Sequence, residues 1–280
     1  MGAMPLAGLR VLALETRRAK EMAELIRRQG GEPFAAPSMR ETPLELSREL
    51  LEAIDRLIRG EIGLAIFMTG VGVRHLNDAL EAARPGKLVE ALRRVRVAAR
   101  GPKALAALRK LGVEVHAVAP EPHTWREVLE ALEDPLPPRV AVQEYGRPNP
   151  EFYEALRRRG AEVIPLRVYR WELPADTGPL RRAVSGLMGG GFDAVLFTSP
   201  NQVVNLFRMA GEEPGAEALR QALAQTVVAS IGPSTTEMLE SYGITPDLEP
   251  ARPKMGYLVK EVAERAPALA AEKAKAGRRS

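Results

Sequence analysis

The sequence predicts an α/β protein built from two doubly wound parallel-sheet domains that arose by internal duplication. Short apolar strands without polar alternation follow one another with helices between them, which is typical of parallel sheets covered on both faces. Three segments recur in the same order, about 130 positions apart. The chain has 280 residues, which is too long for one average domain and sufficient for two.

The first recurring segment is a strand, a small polar residue and a helix. In residues 194–206, Ser199 is a favourable N-cap and Pro200 takes the first helical position, where its missing N–H costs nothing. Residues 65–76 repeat the pattern with Thr69 at the cap. Free N–H groups at such a turn, at the carboxyl end of a strand, form a binding site for a carboxylate or phosphate. A well-capped helix without a ligand is the alternative.

The other two recurring segments complete each half. Residues 8–36 and 139–166 both contain a strand, a helix closed by glycine and a second strand. Residues 95–112 and 226–243 both contain a strand, Gly-Pro, a helix and a closing glycine. Each domain should therefore hold about five strands. Because doubly wound domains bind ligands at the carboxyl edge of the sheet, we expect the strand-end turns of both halves to face one ligand across a cleft.

The composition disfavours metal and cofactor chemistry. There are no cysteines and only three histidines, so disulfides and thiol nucleophiles are excluded and a transition-metal site is not expected. Gly70 and Gly72 follow a strand like the start of a dinucleotide fingerprint, but His75 stands where the third glycine belongs. We predict no cofactor and no metal.

Charge and hydropathy suggest few macromolecular partners. The formal net charge of +4 comes without a recognition motif, so no nucleic acid is expected. No run of 18 apolar residues and no signal peptide are found, which predicts a cytoplasmic protein without a membrane partner. We expect a monomer. Residues 266–280 are rich in alanine and charge without apolar periodicity, which predicts a frayed helix or a disordered tail rather than a functional arm.

Four motifs together resemble uroporphyrinogen-III synthases. They are Phe-Thr-Ser-Pro at 197–200, Ala-Ser-Ile-Gly-Pro-Ser-Thr at 229–235, Gly-Ile-Thr-Pro-Asp at 243–247 and Val-Tyr-Arg at 168–170. Each motif alone has low specificity, but their order and spacing together support the resemblance. The resemblance extends over most of residues 8–265.

The resemblance implies two flavodoxin-like domains joined by a two-stranded linker. Domain 1 would be discontinuous, with residues 1–37 and 174–265, and domain 2 would contain 43–166. The linkers would be 38–42 and 167–173, and 266–280 would be the tail. Because either arrangement gives each domain one copy of every segment, the repeat alone leaves open a contiguous split near residue 136.

The resemblance also implies an activity. Such enzymes are cyclising hydro-lyases of haem, sirohaem and cobalamin biosynthesis that act on hydroxymethylbilane, a linear tetrapyrrole with eight carboxylates. They release water while closing the ring with ring D inverted, mainly by holding the substrate in one reactive geometry. Two alternatives stay open. One is a non-catalytic two-domain sensor of an anionic metabolite, and the other is a nucleotide-dependent enzyme.

The resemblance places two candidate catalytic residues. Tyr169 matches the family tyrosine that would donate to the leaving hydroxyl, although a linker residue packed beside Trp171 is an equal alternative. Thr235 would make a contact that tightens in the transition state. Ser234 stands where many members have threonine, which keeps the hydroxyl but not the methyl group.

Substrate carboxylates would be held by the strand-end turns. The resemblance assigns Thr198, Ser199, Asn201, Gly232 and Ser234 to this role. The repeat adds the equivalent positions Thr69, Gly70, Arg100, Gly101 and Lys103. Arg17 and Arg147, each just beyond a strand, would add positive charge.

Overall fold

The computed structural model describes residues 4–277. Within these residues the chain forms two compact units: unit 1 contains residues 4–40 and 172–277, and unit 2 contains 41–171. Each unit is a parallel sheet with helices on both faces, so the predicted α/β class is confirmed.

Eleven strands and twelve helices form within the described residues. The strands are β1 (Arg10–Ala13), β2 (Glu32–Ala35), β3 (Arg40–Pro43), β4 (Leu64–Phe67), β5 (Arg96–Ala99), β6 (Ala117–Val118), β7 (Arg139–Gln143), β8 (Glu162–Leu166), β9 (Tyr169–Glu172), β10 (Ala194–Phe197) and β11 (Val227–Ser230). The helices are α1 (Ala19–Arg28), α2 (Arg48–Ile58), α3 (Gly70–Ala83), α4 (Lys87–Leu92), α5 (Pro102–Lys110), α6 (Trp125–Glu130), α7 (Pro150–Arg158), α8 (Gly178–Met188), α9 (Pro200–Ala210), α10 (Gly215–Gln225), α11 (Pro233–Ser241) and α12 (Met255–Gly277).

The sheet of unit 2 has the order β6-β5-β4-β7-β8, and that of unit 1 has β11-β10-β1-β2. The expectation of about five strands therefore fails for unit 1. The position beyond β11 holds only an isolated bridge between Ala229 and Leu248. Pro246 and Pro250 flank Leu248 and have no N–H to donate, which limits the pairing. A side-chain oxygen of Asp247 accepts the Val228 N–H at 2.8 Å in place of a backbone carbonyl.

The strands are apolar throughout because both faces of each sheet are covered. In β10, Val195 and Phe197 lie in the core under α8, α9, α10 and α11, whereas Ala194 and Leu196 lie under α1 and α12. Unit 2 has the same arrangement, with α2, α3, α4 and α5 on one face and α6 and α7 on the other. Alternate side chains of one strand thus enter two separate cores.

Three helical features differ from the sequence-based expectations. The sequence pattern did not predict separate helices at α4 and α10. These helices follow α3 and α9 after short loops that contain proline. The last helix, α12, continues to Gly277 through residues expected to form a frayed helix or a disordered tail, and Ala266 is fully buried. Lys273 also holds α12 in place, since its Nζ lies 3.0 Å from an Asp247 carboxylate oxygen. Residues 278–280 of the expected tail lie outside the described residues.

Strands β3 and β9 form a separate two-stranded pair where the chain passes between the units. Arg40 and Glu172 in this pair form an ion pair at 2.9 Å. None of the helices in residues 4–277 is both long enough and apolar enough to cross a membrane.

Candidate functional site

In unit 1, strand order places the candidate residues along one edge of the sheet. The chain after β2 leaves the edge strand and re-enters the sheet at β10, on the other side of β1, so the order reverses between β1 and β10. Ligands of doubly wound sheets bind outside the carboxyl ends of the strands at such a reversal. The loops after β1, β10 and β11 meet there.

At this reversal, Thr198 is held by an internal network. Its hydroxyl donates to the Glu15 carboxylate at 2.5 Å, and its N–H donates to Oε1 of Gln202 at 2.6 Å. Gln202 Nε2 then reaches the Leu14 carbonyl at 3.2 Å, which ties β1 to α9. The polar groups of Thr198 are thus already bonded within unit 1.

Ser199 is the N-cap of α9, as the sequence predicts. Its Oγ accepts the Asn201 N–H at 3.4 Å, and Pro200 is the first helical residue. The Asn201 side chain is mostly buried, so the partly exposed Ser199 is the more accessible of these two candidates.

The turn between β11 and α11 contains a second polar network. Thr236 contacts Ser230 through its hydroxyl at 2.9 Å and also donates to Glu249. Thr235 is only 2 % exposed, whereas Ser234 beside it is exposed. A ligand at this turn therefore meets Ser234 more readily than Thr235.

Unit 1 thus already carries its own carboxylates at both turns. Glu15 accepts from Thr198, and Glu249 accepts from Thr236. A ligand carboxylate that binds these hydroxyls must displace Glu15 and Glu249 or share the hydroxyls with them. Arg17, which is exposed in the loop after β1, supplies positive charge on the same edge.

In unit 2, the order reverses between β7 and β4, and Gln143 meets Thr69 there. Gln143 is fully buried, and its Oε1 accepts the Thr69 N–H at 3.2 Å. The Thr69 hydroxyl caps α3 by accepting the Gly72 N–H at 2.9 Å, as expected for this cap. The same hydroxyl lies 3.2 Å from the Tyr169 hydroxyl.

Tyr169 is 3 % exposed and has aromatic neighbours on two sides. Its ring centroid lies 5.7 Å from that of Trp171 in an edge-to-face arrangement and 5.8 Å from that of His75. His75 Nε2 is 2.6 Å from a Glu41 carboxylate oxygen. The ring is thus fixed by packing, and the hydroxyl points to the candidate turn, so the geometry contains both features weighed for Tyr169.

The glycines that imitate a dinucleotide fingerprint serve internal packing. A Cβ on Gly70 would collide with the Lys103 carbonyl oxygen, and one on Gly72 would collide with the Gln143 amide. Both glycines therefore let α3 approach neighbouring elements closely.

Two predicted arginines of unit 2 come together at the ring of Tyr145. The Cζ atoms of Arg100 and Arg147 lie 5.6 and 5.7 Å from its centroid. Burial lowers the pKa of Arg100, against the opposing effect of Tyr145 and Tyr169. Lys103 is exposed on the first turn of α5, next to Gly101.

The acidic residue after β7 has a different role. Glu144 is 5 % exposed, accepts a hydrogen bond from the Tyr153 hydroxyl and pairs with Arg167 at 3.2 Å. Burial, followed by this hydrogen bond, raises the pKa of Tyr153. Glu144 therefore joins α7 to the end of β7 and is already paired.

Within each unit, the structure brings the predicted residues to one sheet edge. Sequence reasoning missed Gln143, Tyr145 and His75 as members of this edge. Gln143 ends the strand that the repeat aligns with β1, and Tyr145 follows it, which was the available signal. No group of three or more His, Asp or Glu side chains suited to a metal occurs in residues 4–277.

Comparisons with known proteins decide the family. The family model of uroporphyrinogen-III synthase HemD matches residues 20–260. The chain belongs to the uroporphyrinogen-III synthase family. Members of this family are cyclising hydro-lyases, so the predicted resemblance and enzyme class are confirmed.

Individual relatives place the chain in the same family. It resembles a crystal structure of a mutant uroporphyrinogen III synthase from Thermus thermophilus with a TM-score of 0.74 and 30% identity, covering 94% of this chain and 100% of that one. A Methanothermobacter thermautotrophicus protein provisionally named uroporphyrinogen-III synthase is 34% identical over 81% of this chain and 87% of its own. The Bacillus subtilis protein YjjA, which has no described function, is 30% identical over 92% of this chain and 96% of its own.

Proposed function

We propose that this chain closes hydroxymethylbilane to uroporphyrinogen III, with ring D inverted and water released, through the strand-end turns of its two units. Family membership supports the reaction. The contact between the hydroxyls of Tyr169 and Thr69 at 3.2 Å is the observation that supports a site in unit 2. The monomeric state, the cytoplasmic location and the independence from nucleic acid stay predictions.

The proposed roles follow from accessibility. Tyr169 is nearly buried, whereas Thr69 is partly exposed, so the two hydroxyls would act as a unit, with Thr69 on the ligand side. Proton donation to the leaving hydroxyl assists its loss, and such assistance contributes about 10²- to 10⁴-fold. Most of the remaining rate would come from holding the flexible substrate in one geometry.

The binding sites for the substrate carboxylates would differ between the two units. In unit 1, Ser199, Ser234 and the N–H groups of the α9 and α11 turns offer hydrogen bonds, with Glu15 and Glu249 as internal competitors. In unit 2, Thr69, Gly70, Gly101 and Lys103 would act beside the charge of Arg100. A helix N-terminus stabilises an exposed anion by roughly 0.3 to 1 kcal/mol, so several such sites are needed together to bind the substrate.

The deciding experiment incubates hydroxymethylbilane with the protein and resolves the porphyrin isomers after oxidation. Without enzyme, the substrate closes without inversion to the I isomer. Excess III isomer that disappears in a heat-unfolded control would establish the synthase. Tight binding with only the I isomer would instead indicate a binding protein and would refute the proposed reaction.

A further inference from the structure

Tyr145 lies in the loop after β7 and has two guanidinium groups near one ring. The Cζ of Arg100 is 5.6 Å from the ring centroid, and the Cζ of Arg147 is 5.7 Å from it. Both distances fall within the range of cation–π attraction, which is about 6 Å. The Tyr145 ring therefore has two cations within the range of this attraction.

Neither guanidinium is neutralised by a carboxylate in the part of the chain that the structure describes. Arg147 Nε is buried and makes no hydrogen bond there. Burial lowers the pKa of Arg100, so its charged form lacks part of its hydration. The carboxylate on the same loop, Glu144, pairs with Arg167 instead, at 3.2 Å. Within residues 4–277, the charges of Arg100 and Arg147 are thus left without a carboxylate counterion.

The loop that carries Tyr145 is fixed by its neighbours. The Trp171 indole N–H donates to the Tyr145 carbonyl at 3.0 Å. The next residue, Gly146, has a φ of +85°, and a Cβ there would lie 2.5 Å from Trp171 Cδ1. A positive φ and this close approach both require glycine, so the backbone at Tyr145 has little freedom.

We propose that Arg100, Tyr145 and Arg147 form a subsite for one carboxylate of the ligand, in which the Tyr145 ring sets the positions of the two guanidinium groups. This inference rests on the proposed function, because it assigns one of the substrate's carboxylates to unit 2. Guanidinium groups bind carboxylates with paired, charge-assisted hydrogen bonds, which suits two guanidinium groups at one ring that have no carboxylate partner among the described residues.

Binding can be measured without turnover. The probe is uroporphyrin, an octacarboxylate. Quenching of tryptophan fluorescence reports its binding, because the Trp171 indole is hydrogen-bonded to the loop that carries Tyr145. Arg147→Gln and Tyr145→Leu should each raise the dissociation constant about tenfold. Tyr145→Phe keeps the ring and should stay within about twofold of wild type. Arg147→Lys keeps the charge but lacks the planar fork, so its loss should be intermediate.

The matched control is Arg109→Gln, which removes one exposed charge from the last turn of α5. It should leave the dissociation constant within about twofold of wild type. Thermal midpoints near that of wild type would show that the variants fold, and Arg147→Lys replaces any variant that does not. If Arg147→Gln binds as tightly as Arg109→Gln, the subsite is refuted. The isomer assay on wild type judges the proposed reaction separately, so either conclusion can fail alone.

Discussion

Tyr169 combines a ring fixed by packing with a hydroxyl directed at a capped helix start. The edge-to-face contact with Trp171 and the contact with His75 hold the ring, and the hydroxyl meets that of Thr69 at 3.2 Å. Removing the hydroxyl alone leaves both ring contacts in place. The packing and chemical roles of this residue can therefore be separated by one substitution.

Tyr169→Phe should lower turnover by about 10²-fold, because one proton donor is lost while the ring contacts remain. Thr69→Val should cause a loss of similar size, since it removes the hydroxyl that we propose lies between Tyr169 and the ligand. Steady-state kinetics with isomer analysis measures both. If Tyr169→Phe keeps full rate and full selectivity for the III isomer, Tyr169 is a packing residue.

Thr235 tests how far the family resemblance carries over to this chain. It was expected to contact the substrate, but it is 2 % exposed on the first turn of α11. Thr235→Val keeps the volume and removes the hydroxyl. We expect lower turnover with little change in the Michaelis constant, the result for a contact that tightens only in the transition state.

Ser234→Ala is the companion variant, because Ser234 is exposed on the same turn. It should raise the Michaelis constant with turnover unchanged, as expected for a contact made equally in the ground and transition states. The assignment of Thr235 would be contradicted if Thr235→Val were indistinguishable from wild type in both constants.

At the scale of elements, the turn between β4 and α3 depends on close packing. Gln143 at the end of β7 fills the space that a side chain at position 72 would occupy, and it accepts the Thr69 N–H at 3.2 Å. One amide thus joins β7 to the start of α3, and the glycine makes this possible.

Gly72→Ala should displace Gln143 and destabilise the protein by about 1 to 3 kcal/mol, the usual cost of overpacking. Activity should fall as well, because Thr69 loses its support. Urea unfolding and kinetics measure the two effects. Gly256→Ala is the matched control, since a Cβ there meets nothing within 4 Å on α12, and it should be neutral or slightly stabilising. Equal effects of the two substitutions would contradict the packing argument.

Glu162 on β8 links two other elements of unit 2. Hydrogen bonds from Arg56 on α2, and then from Arg139 on β7, lower the pKa of its carboxyl group. A pKa that is lower in the folded state gives stability that is present above the unfolded value of about 4.3 and is lost as the pH falls through the folded value.

Glu162→Gln should therefore cost stability at pH 7 and leave less to lose on acidification. Urea unfolding at about pH 7 and pH 3 compares the two conditions. The exposed Glu114 supplies the control Glu114→Gln, which should keep the acid dependence of wild type. An unchanged acid dependence in Glu162→Gln would show that these ion pairs contribute nothing measurable.

For the whole molecule, a modest excess of positive charge meets a substrate with eight carboxylates. The formal net charge is +4, and exposed cations such as Lys103 and Arg17 lie at strand ends. Exposed charges act over a screening length of about 8 to 10 Å near physiological salt. Attraction to the substrate should therefore depend on ionic strength.

The Michaelis constant should rise as salt increases from about 0.05 to 0.5 M, while turnover at saturation stays constant. Initial rates over this range measure both. A Michaelis constant that does not change with salt would indicate that N–H groups and buried contacts alone bind the substrate. A matching fall in turnover would indicate that salt acts on the reacting geometry.

The sequence by itself determined the α/β class, the caps at Ser199 and Thr69, and the family. The class and the caps depend on residues that are near one another in the chain: a period of apolar positions, a cap and the helix it starts. The family depends on the order and spacing of short local motifs. The internal duplication and the roles of the site residues stay predictions.

Only the tertiary structure decided which side chains meet. Strand order put Gln143 beside Thr69, gathered Arg100 and Arg147 at Tyr145, and left Glu15 and Glu249 at the turns of unit 1. It also buried Thr235, shortened the fifth strand of unit 1 to a bridge and continued α12 to Gly277 with Ala266 buried. The physical reason is that these outcomes depend on contacts between segments far apart in the chain, which local periodicity and capping do not encode.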